Sequence, residues 1–352
     1  MNSAFVAYIQ AVGRGQRSGR YLTEEEAYSA MKMLLNNEVS ELQKGAFLML
    51  LRVREESIEE LTGFVRACRD TMIPTTHPST SKLIDWGCYA GKRRQLPWYT
   101  LAMSVLVERG YRIVAHGACE PNSSRLYLAN LLEHFGVYDS VTARSIDQAR
   151  MQALTRGFSY ISLANAHPAL NDLIQLRASF GLRSCANTLA RLLNPAGANF
   201  SFQGVHHRGV DVKHQQVALA LQINSPEQDQ STLCFRGEGG EPEVSPSKAT
   251  ELFICRPNKV EKQVLAAQRE WQIKPRKLDV NTLIKTWQGE QVHSYGEASV
   301  ISTVAGGLVL LENMRPEEAM KTARKLWQER CKTQFLGVQI YQLTNKEHSL
   351  AT

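Results

Sequence analysis

The stretch LIDWGCYAGKRRQLPWYTLAMSVLVERGYRIVAHG, Leu83 to Gly117, decides the fold. LIDWG is a short apolar run that ends at glycine and reads as a buried strand. WYTLAMSVLVERG carries an apolar pattern at helical spacing, and YRIVAHG is a second strand ending at glycine. Strand, glycine turn, helix and strand in this order make a parallel crossover unit. The turn raises a functional question. Glycine turns after strands bring backbone N–H groups close to phosphate, yet this one places Lys92, Arg93 and Arg94 in a row.

Outward from this unit the alternation continues. FSYISLA, HPALNDLIQLRASFG, SCANTLARLL, FSFQGV, VKHQQVALALQ, STLCFRG and TELFICR read in turn as strands and helices. This predicts a mostly parallel sheet flanked by helices. SSRLYLANLLEHFG is expected to be a helix capped by Ser123 or Ser124. Residues 256–297 carry no clear period and read as loops with short helices. Upstream, residues 4–72 read as helices. Thr23 with Glu26 forms a capping box, and Ser40 and Ser57 open two further helices. The expected organisation is a helical domain over 1–75, joined by helices around 167–195, and an α/β domain over 76–352. In parallel sheets ligands gather outside the C-terminal strand ends. The turns at Gly87 and Gly91, at Gly117 and at Gly237–Gly240 should therefore share one edge, facing the helical unit.

Composition narrows the class. The chain has 352 residues, 43% hydrophobic and 21% charged, as an ordinary globular protein has. No apolar run is read as long enough to span a bilayer. The N-terminus has its basic residues after its apolar part, the reverse of a secretory signal, so a cytoplasmic protein without membrane contact is expected. Seven widely spaced cysteines with no CxxC argue for reduced thiols and against a zinc site. The net charge of +7 is concentrated. Residues 1–20 carry Arg14, Arg17 and Arg20 with no acid. Residues 71–130 carry seven cations against three acids, and residues 256–285 carry eight against three. Such segments suit the phosphates of a polyanion.

Several motifs, in order, carry a resemblance that covers nearly the whole length. They are NNEVSELQKGAFLMLLRVREESIEELTGFVRACRD, IDWGCYAG, HGACEPNSS, LANLLEHFGV, HPALNDLIQLRASFGLRS and GEGGEPEVSP. Together they resemble the anthranilate phosphoribosyltransferase family. The resemblance implies a small N-terminal helical domain plus a larger α/β domain of the nucleoside phosphorylase/phosphoribosyltransferase-like type. It also implies a homodimer joined through the helical domains, and an interdomain cleft for phosphoribosyl pyrophosphate, Mg²⁺ and an aromatic amine acid. The departures bear on function. The pyrophosphate turn, Gly-Thr-Gly-Gly-Asp in the family, is here Gly87, Cys88, Tyr89, Ala90 and Gly91, where a ring and a methyl take up room. Leu96-Pro97-Trp98-Tyr99 lacks the metal-binding hydroxyl of the family's helix start. Ala115-His116-Gly117-Ala118 lacks a lysine and an asparagine. The Mg²⁺-binding Asp-Glu pair becomes Pro242-Glu243, and one carboxylate is a poor magnesium site. Ser123, Ser124, His167, Pro168 and Arg177 match the family's pattern. The combination resembles a nucleic-acid-binding paralogue branch, YbiB-like.

The candidate residues follow. For nucleic acid they are Arg14, Arg17, Arg20, Lys92, Arg93, Arg94, Arg256, Lys259, Lys274, Arg276 and Lys277. For a residual substrate pocket they are Gly87, Gly91, His116, Gly117, Ser123, Ser124, His167 and Arg177. No catalytic residue is expected. His116 and His167 read as structural, because no carboxylate partner is identifiable in sequence. Trp98 and Tyr99 read as core, with base stacking as the alternative. Arg177 reads either as an anion ligand or as one side of an internal salt bridge. Glu243 is a weak metal candidate and reads as an exposed loop residue. The function expected is sequence-nonspecific binding of DNA or RNA through phosphates, by a homodimer and without a cofactor. The alternative is a pentosyltransferase with an altered substrate, which would need Mg²⁺. A sensor of a small phosphorylated or aromatic acid is a third reading.

Overall fold

The computed structural model describes residues 2–15, 18–73, 82–121, 123–224, 230–257, 259–271 and 277–340. Its N-terminal part is four helices: α1 (Ser3–Gly13), α2 (Glu24–Leu35), α3 (Glu41–Arg54) and α4 (Ile58–Asp70). Three of them start at capping boxes, Thr23 with Glu26, Ser40 with Gln43 and Ser57 with Glu60. Each box satisfies backbone N–H groups that a helix start leaves orphaned. The buried Glu60 does more than cap. It accepts from the Leu22 N–H at 2.8 Å and pairs with Arg54, so one carboxylate joins three segments. Helices α2 and α4 cross at Gly63, where a Cβ would lie 2.2 Å from the Glu24 carbonyl oxygen and 2.9 Å from the Tyr28 nitrogen.

The apolar side of this bundle is finished by residues from far along the chain. Leu163, Leu170, Leu189, Leu193 and Val217 share its core with Phe47, Phe64 and Leu34. Arg69 of α4 also donates to the carbonyls of Leu192 and Leu193 at 3.0 and 3.1 Å.

The larger part is an eight-stranded sheet. Its strands are β1 (Leu83–Cys88), β2 (Arg112–Gly117), β3 (Thr142–Ala143), β4 (Phe158–Ser162), β5 (Phe200–Val205), β6 (Ser231–Arg236), β7 (Thr250–Arg256) and β8 (Lys259–Leu265). The spatial order is β3-β4-β2-β1-β5-β6-β7-β8. Pairing is parallel as far as β6 and antiparallel beyond it. Central β1 is buried along its whole length, as a strand covered on both faces must be. Helix α5 (Tyr99–Glu108) and the helix Ser294–Leu311 cover one face through the largest apolar cluster. This is the mostly parallel, helix-flanked sheet behind a helical bundle that the sequence implies.

Register brings the glycine turns together. Cys88 pairs with Gly117, and Val205 pairs with Arg236, at the C-terminal ends of their strands. A Cβ on Gly240 would lie 3.3 Å from that of Ala90, so the 237–240 turn sits against the 88–91 turn.

The structure corrects three expectations. Residues 259–265 are strand β8, not loop. This is an edge strand, largely exposed, and its two lysines and Glu261 hide the period while protecting the edge. Ser123 and Ser124 cap no helix, because residue 126 is drawn into a two-way backbone bridge with Lys92, at 2.8 and 2.7 Å. The helix starts only at Leu128. Ser294–Leu311 is long and apolar enough to cross a membrane, and here it is mostly buried against its neighbours.

Two measurements test this packing. Gly63→Ala should cost about 1–3 kcal/mol by forcing α2 and α4 apart, read as a lower urea midpoint; an unchanged midpoint would contradict the crossing. His214 is buried beneath β5, 3.0 Å from Gln203 Oε1, and burial, helped by Arg191 and Lys213, lowers its pKa to about 3. The unfolded chain then binds a proton below about pH 6.5 that the folded chain refuses until about pH 3. Stability should fall on acidification through that window, by up to about 1.4 kcal/mol per pH unit. His214→Gln should flatten the slope by one proton.

Candidate functional site

The turn after β1 is built from buried side chains. Tyr89 is 1% exposed and points inward, with its hydroxyl 2.6 Å from His116 Nδ1. His116 Nε2 lies 2.8 Å from Asp85 Oδ1, and Ser201 donates to Asp85 Oδ2 at 2.8 Å. His116 therefore has the carboxylate partner that sequence reading did not identify. The strand register supplies it, since β1 sets Gly87 opposite His116. The group is sealed from solvent, which suits a structural role.

Side chains hold the backbone at the end of this turn. Gly91 has φ +67°, and a Cβ there would lie 2.8 Å from the Tyr127 ring, so only glycine fits. Its N–H donates to the carboxylate of Glu241, which is 1% exposed. The carbonyls of Ala90 and Gly91 accept from Arg125 at 3.2 and 3.1 Å, and Arg183 adds a bond to Ala90 at 3.3 Å. Burial raises the Glu241 pKa, against the pull of the Gly91 N–H, Arg191 and Lys92.

Lys92 is not a surface cation. It is 2% exposed, and its Nζ lies 2.7 Å from Glu243 Oε1 and 3.0 Å from the Glu238 carbonyl oxygen. Glu243 is fully buried, not an exposed loop residue, and its Oε2 accepts from the Tyr99 N–H at 2.9 Å. The pair thus joins the turn, the 238–243 loop and the start of α5. Trp98 and Tyr99 are both fully buried, as the core reading expects.

Beside the turn, Glu120 collects donors. Arg177 and Arg183 both pair with it, Asn187 reaches it at 3.2 Å, and the Tyr127 hydroxyl donates to it at 3.0 Å. Of the two readings of Arg177, the internal salt bridge is the one present. Ser123 Oγ lies 3.1 Å from the Tyr127 hydroxyl oxygen, and Ser124 is exposed. Gly117 packs tightly, since a Cβ would lie 2.5 Å from the Cys88 carbonyl oxygen. His167, 3% exposed, caps the helix Pro168–Gln175 through the Leu170 N–H and touches Thr71 at 3.1 Å. It is a structural residue and does not line the cleft.

Above these groups a cleft of about 560 Å³ opens between the end of α3 and the strand edge. Nine arginines and lysines line it against three glutamates, together with His206, His207 and His214. Lys92 and Arg183 are already paired. Arg52, Arg93, Arg94 and Arg208 are exposed, and none of them has an ion-pair or hydrogen-bond partner among the described residues. On the floor, Arg191 donates to the Asn187 carbonyl at 2.7 Å while its buried Nε has no partner. Burial and the neighbouring Arg183 lower its pKa to about 10, so it stays charged at neutral pH.

Of the expected nucleic-acid residues, Arg93 and Arg94 meet in the cleft as exposed cations, and Lys92 lies buried beneath them. Arg14 and Arg20 are not among its lining residues. Arg14 bonds to Gln10, and Arg20 is bound by Glu26 through two bonds of 2.6 and 2.7 Å. Arg256 is held by the carbonyls of Val309 and Leu310, and Lys259 pairs with Glu261. Both sit at the β7–β8 turn, where Cys255 pairs with Thr232 at the start of β6, the opposite end of the sheet. Lys277 is exposed outside the cleft, and Arg17, Lys274 and Arg276 lie outside the described residues. Sequence reading missed Arg52, Arg125, Arg183, Arg191, Arg208 and Lys213 as a group. One signal was available: HHRG follows strand FSFQGV as a further glycine turn.

A helical bundle is set against a mostly parallel sheet, with a charged cleft between them. Residues 6–72 match the helical bundle domain of a glycosyl transferase family. Anthranilate phosphoribosyltransferases of Bacillus thuringiensis subsp. konkukian and Bacillus cereus are each 29% identical over 242 residues, 69% of this chain and 68% of theirs. Among solved structures, the anthranilate phosphoribosyltransferase of Thermus thermophilus superposes with a TM-score of 0.74 at 22% identity, over 98% of both chains. The Saccharomyces cerevisiae enzyme in complex with PRPP and Mg gives 0.71 at 15% identity, over 97% of this chain and 98% of that one. The relatives are what this chain is similar to, and the solved structures show that it shares their fold.

Lys92→Met would leave Glu243 buried with one N–H donor. A buried pair broken from one side costs about 3–5 kcal/mol, which urea unfolding should register. Lys92→Met with Glu243→Gln should recover much of it; no recovery would mean that the pair is not the cause.

Proposed function

We propose that this chain binds nucleic acid through its phosphates, without base specificity, and that it has given up the transfer chemistry of its scaffold. The observation that carries the reading is the cleft. Among the described residues it keeps four cations with no ion-pair or hydrogen-bond partner, while the groups beneath it already hold ligands of the chain's own. Glu241 stands at the turn N–H that the resemblance assigns to pyrophosphate. The Lys92 ammonium stands on Glu243, where the resemblance assigns Mg²⁺. Glu120 fills the grip of Arg177, where the resemblance assigns the aromatic acid. The residues present do not fit a magnesium ion: Glu243, the one carboxylate left of the family's pair, is bonded to an ammonium at 2.7 Å and to a backbone N–H at 2.9 Å, and Glu241 is held by the Gly91 N–H. No catalytic residue is assigned.

In this reading Arg52, Arg93, Arg94 and Arg208 contact phosphates and release condensed counterions. The partner is DNA or RNA. A homodimer joined through the helical units would present two such clefts and lengthen the track.

Salt titration tests the proposal. Four phosphate contacts per cleft should give a log–log slope of about −3.6 on duplex DNA. Arg93→Glu with Arg94→Glu should weaken binding to every sequence equally and reduce the slope by roughly 1.8. A flat slope, or absence of binding at low salt, would overturn the reading. So would micromolar binding of phosphoribosyl pyrophosphate with Mg²⁺ in calorimetry.

A further inference from the structure

We infer that the ligand of the cleft is a single strand, threaded between the two domains with its bases unstacked. The inference rests on the phosphate-binding reading above and names the substrate class of that same site. Its first support is volume. About 560 Å³ is the size of a small-ligand pocket, room for a nucleotide or two. A duplex, whose major groove alone is about 12 Å wide, can only lie across the mouth.

The second support is the depth at which the charges sit. Arg93, Arg94 and Arg208 are on the rim, fully available to a duplex. Arg191 lines the cleft below them, on its floor. Only a chain flexible enough to enter the cleft can bring a phosphate oxygen to it.

The third support is a stacking surface. His206 and His207 are exposed beside Arg208, with ring centroids 5.0 Å apart and planes at 84°. Two rings at right angles offer two separate faces to splayed bases, a use of histidine rings familiar in single-strand recognition. Paired, stacked bases in a duplex present no such faces.

The test is fluorescence anisotropy at one salt concentration, with a labelled 12-mer as single-stranded DNA, as single-stranded RNA and as a DNA duplex. At least one of the single strands should bind about tenfold more tightly than the duplex. His206→Ala with His207→Ala should remove that advantage and leave duplex binding unchanged. Both side chains are exposed, so this variant should fold, as its thermal unfolding will verify. Arg191→Gln should likewise weaken the single strand and spare the duplex. Equal affinity for all three ligands, or double-histidine and Arg191 variants that lower none selectively, overturns the single-strand inference and leaves the phosphate-binding reading standing. Absence of binding to any of the three overturns both.

Discussion

The contact between Lys92 and Glu243 is the constraint on which the rest of the site depends. Both side chains are within 2% of complete burial, and a bare ion pair so placed would lose more in desolvation than it gains in attraction. What makes this one tolerable is that the remaining capacity of each ion is used. The ammonium also reaches the Glu238 carbonyl, and the second carboxylate oxygen takes the N–H at the start of α5. A helix start is itself weakly positive, so the anion is doubly matched. Three segments are thereby pinned to one another, and the direction of the chain after Lys92 is fixed. Arg93 and Arg94 then have no place but the rim of the cleft.

The same logic runs through the neighbouring groups. The scaffold supplies a turn with inward N–H groups, an acidic loop and a pair of arginines. Each of these would be unstable if emptied, because a buried donor or charge without a partner is costly. Here the partners come from the chain. A carboxylate answers the turn, an ammonium answers the acidic loop, and another carboxylate answers the arginines. Charge balance inside the protein is kept at these buried positions. The cations above that layer have no ion-pair or hydrogen-bond partner among the described residues.

Much of the fold could be read in the sequence because local rules govern it. The capping boxes at Thr23, Ser40 and Ser57 depend on residues three apart, and the crossover from β1 to β2 depends on two short periods and two glycines. Strand β8 escaped because an exposed edge needs no apolar alternation. The site was legible only in part, since its residues are defined by partners across long separations. Lys92 and Glu243 are 151 positions apart, and Arg183 and Glu120 are 63 apart. A run of cations is the same string of letters whether its first member is solvated or buried. Nothing local distinguishes Lys92 from Arg93; the difference is made by a glutamate on another loop.

That difference also explains why summed charge was a poor guide to grouping. The segment around Arg256 and Lys259 is as basic as the one around Lys92, yet its charges are spent on Glu261 and on carbonyls at the end of Ser294–Leu311. Antiparallel β7 carries them to the far end of the sheet. Parallel strands deliver their trailing turns to one edge, and an antiparallel strand delivers its turn to the other. Topology, more than composition, therefore decides which basic segments can act on one ligand, and it selects the turns after β1 and β5 with the arginines that pack beneath them.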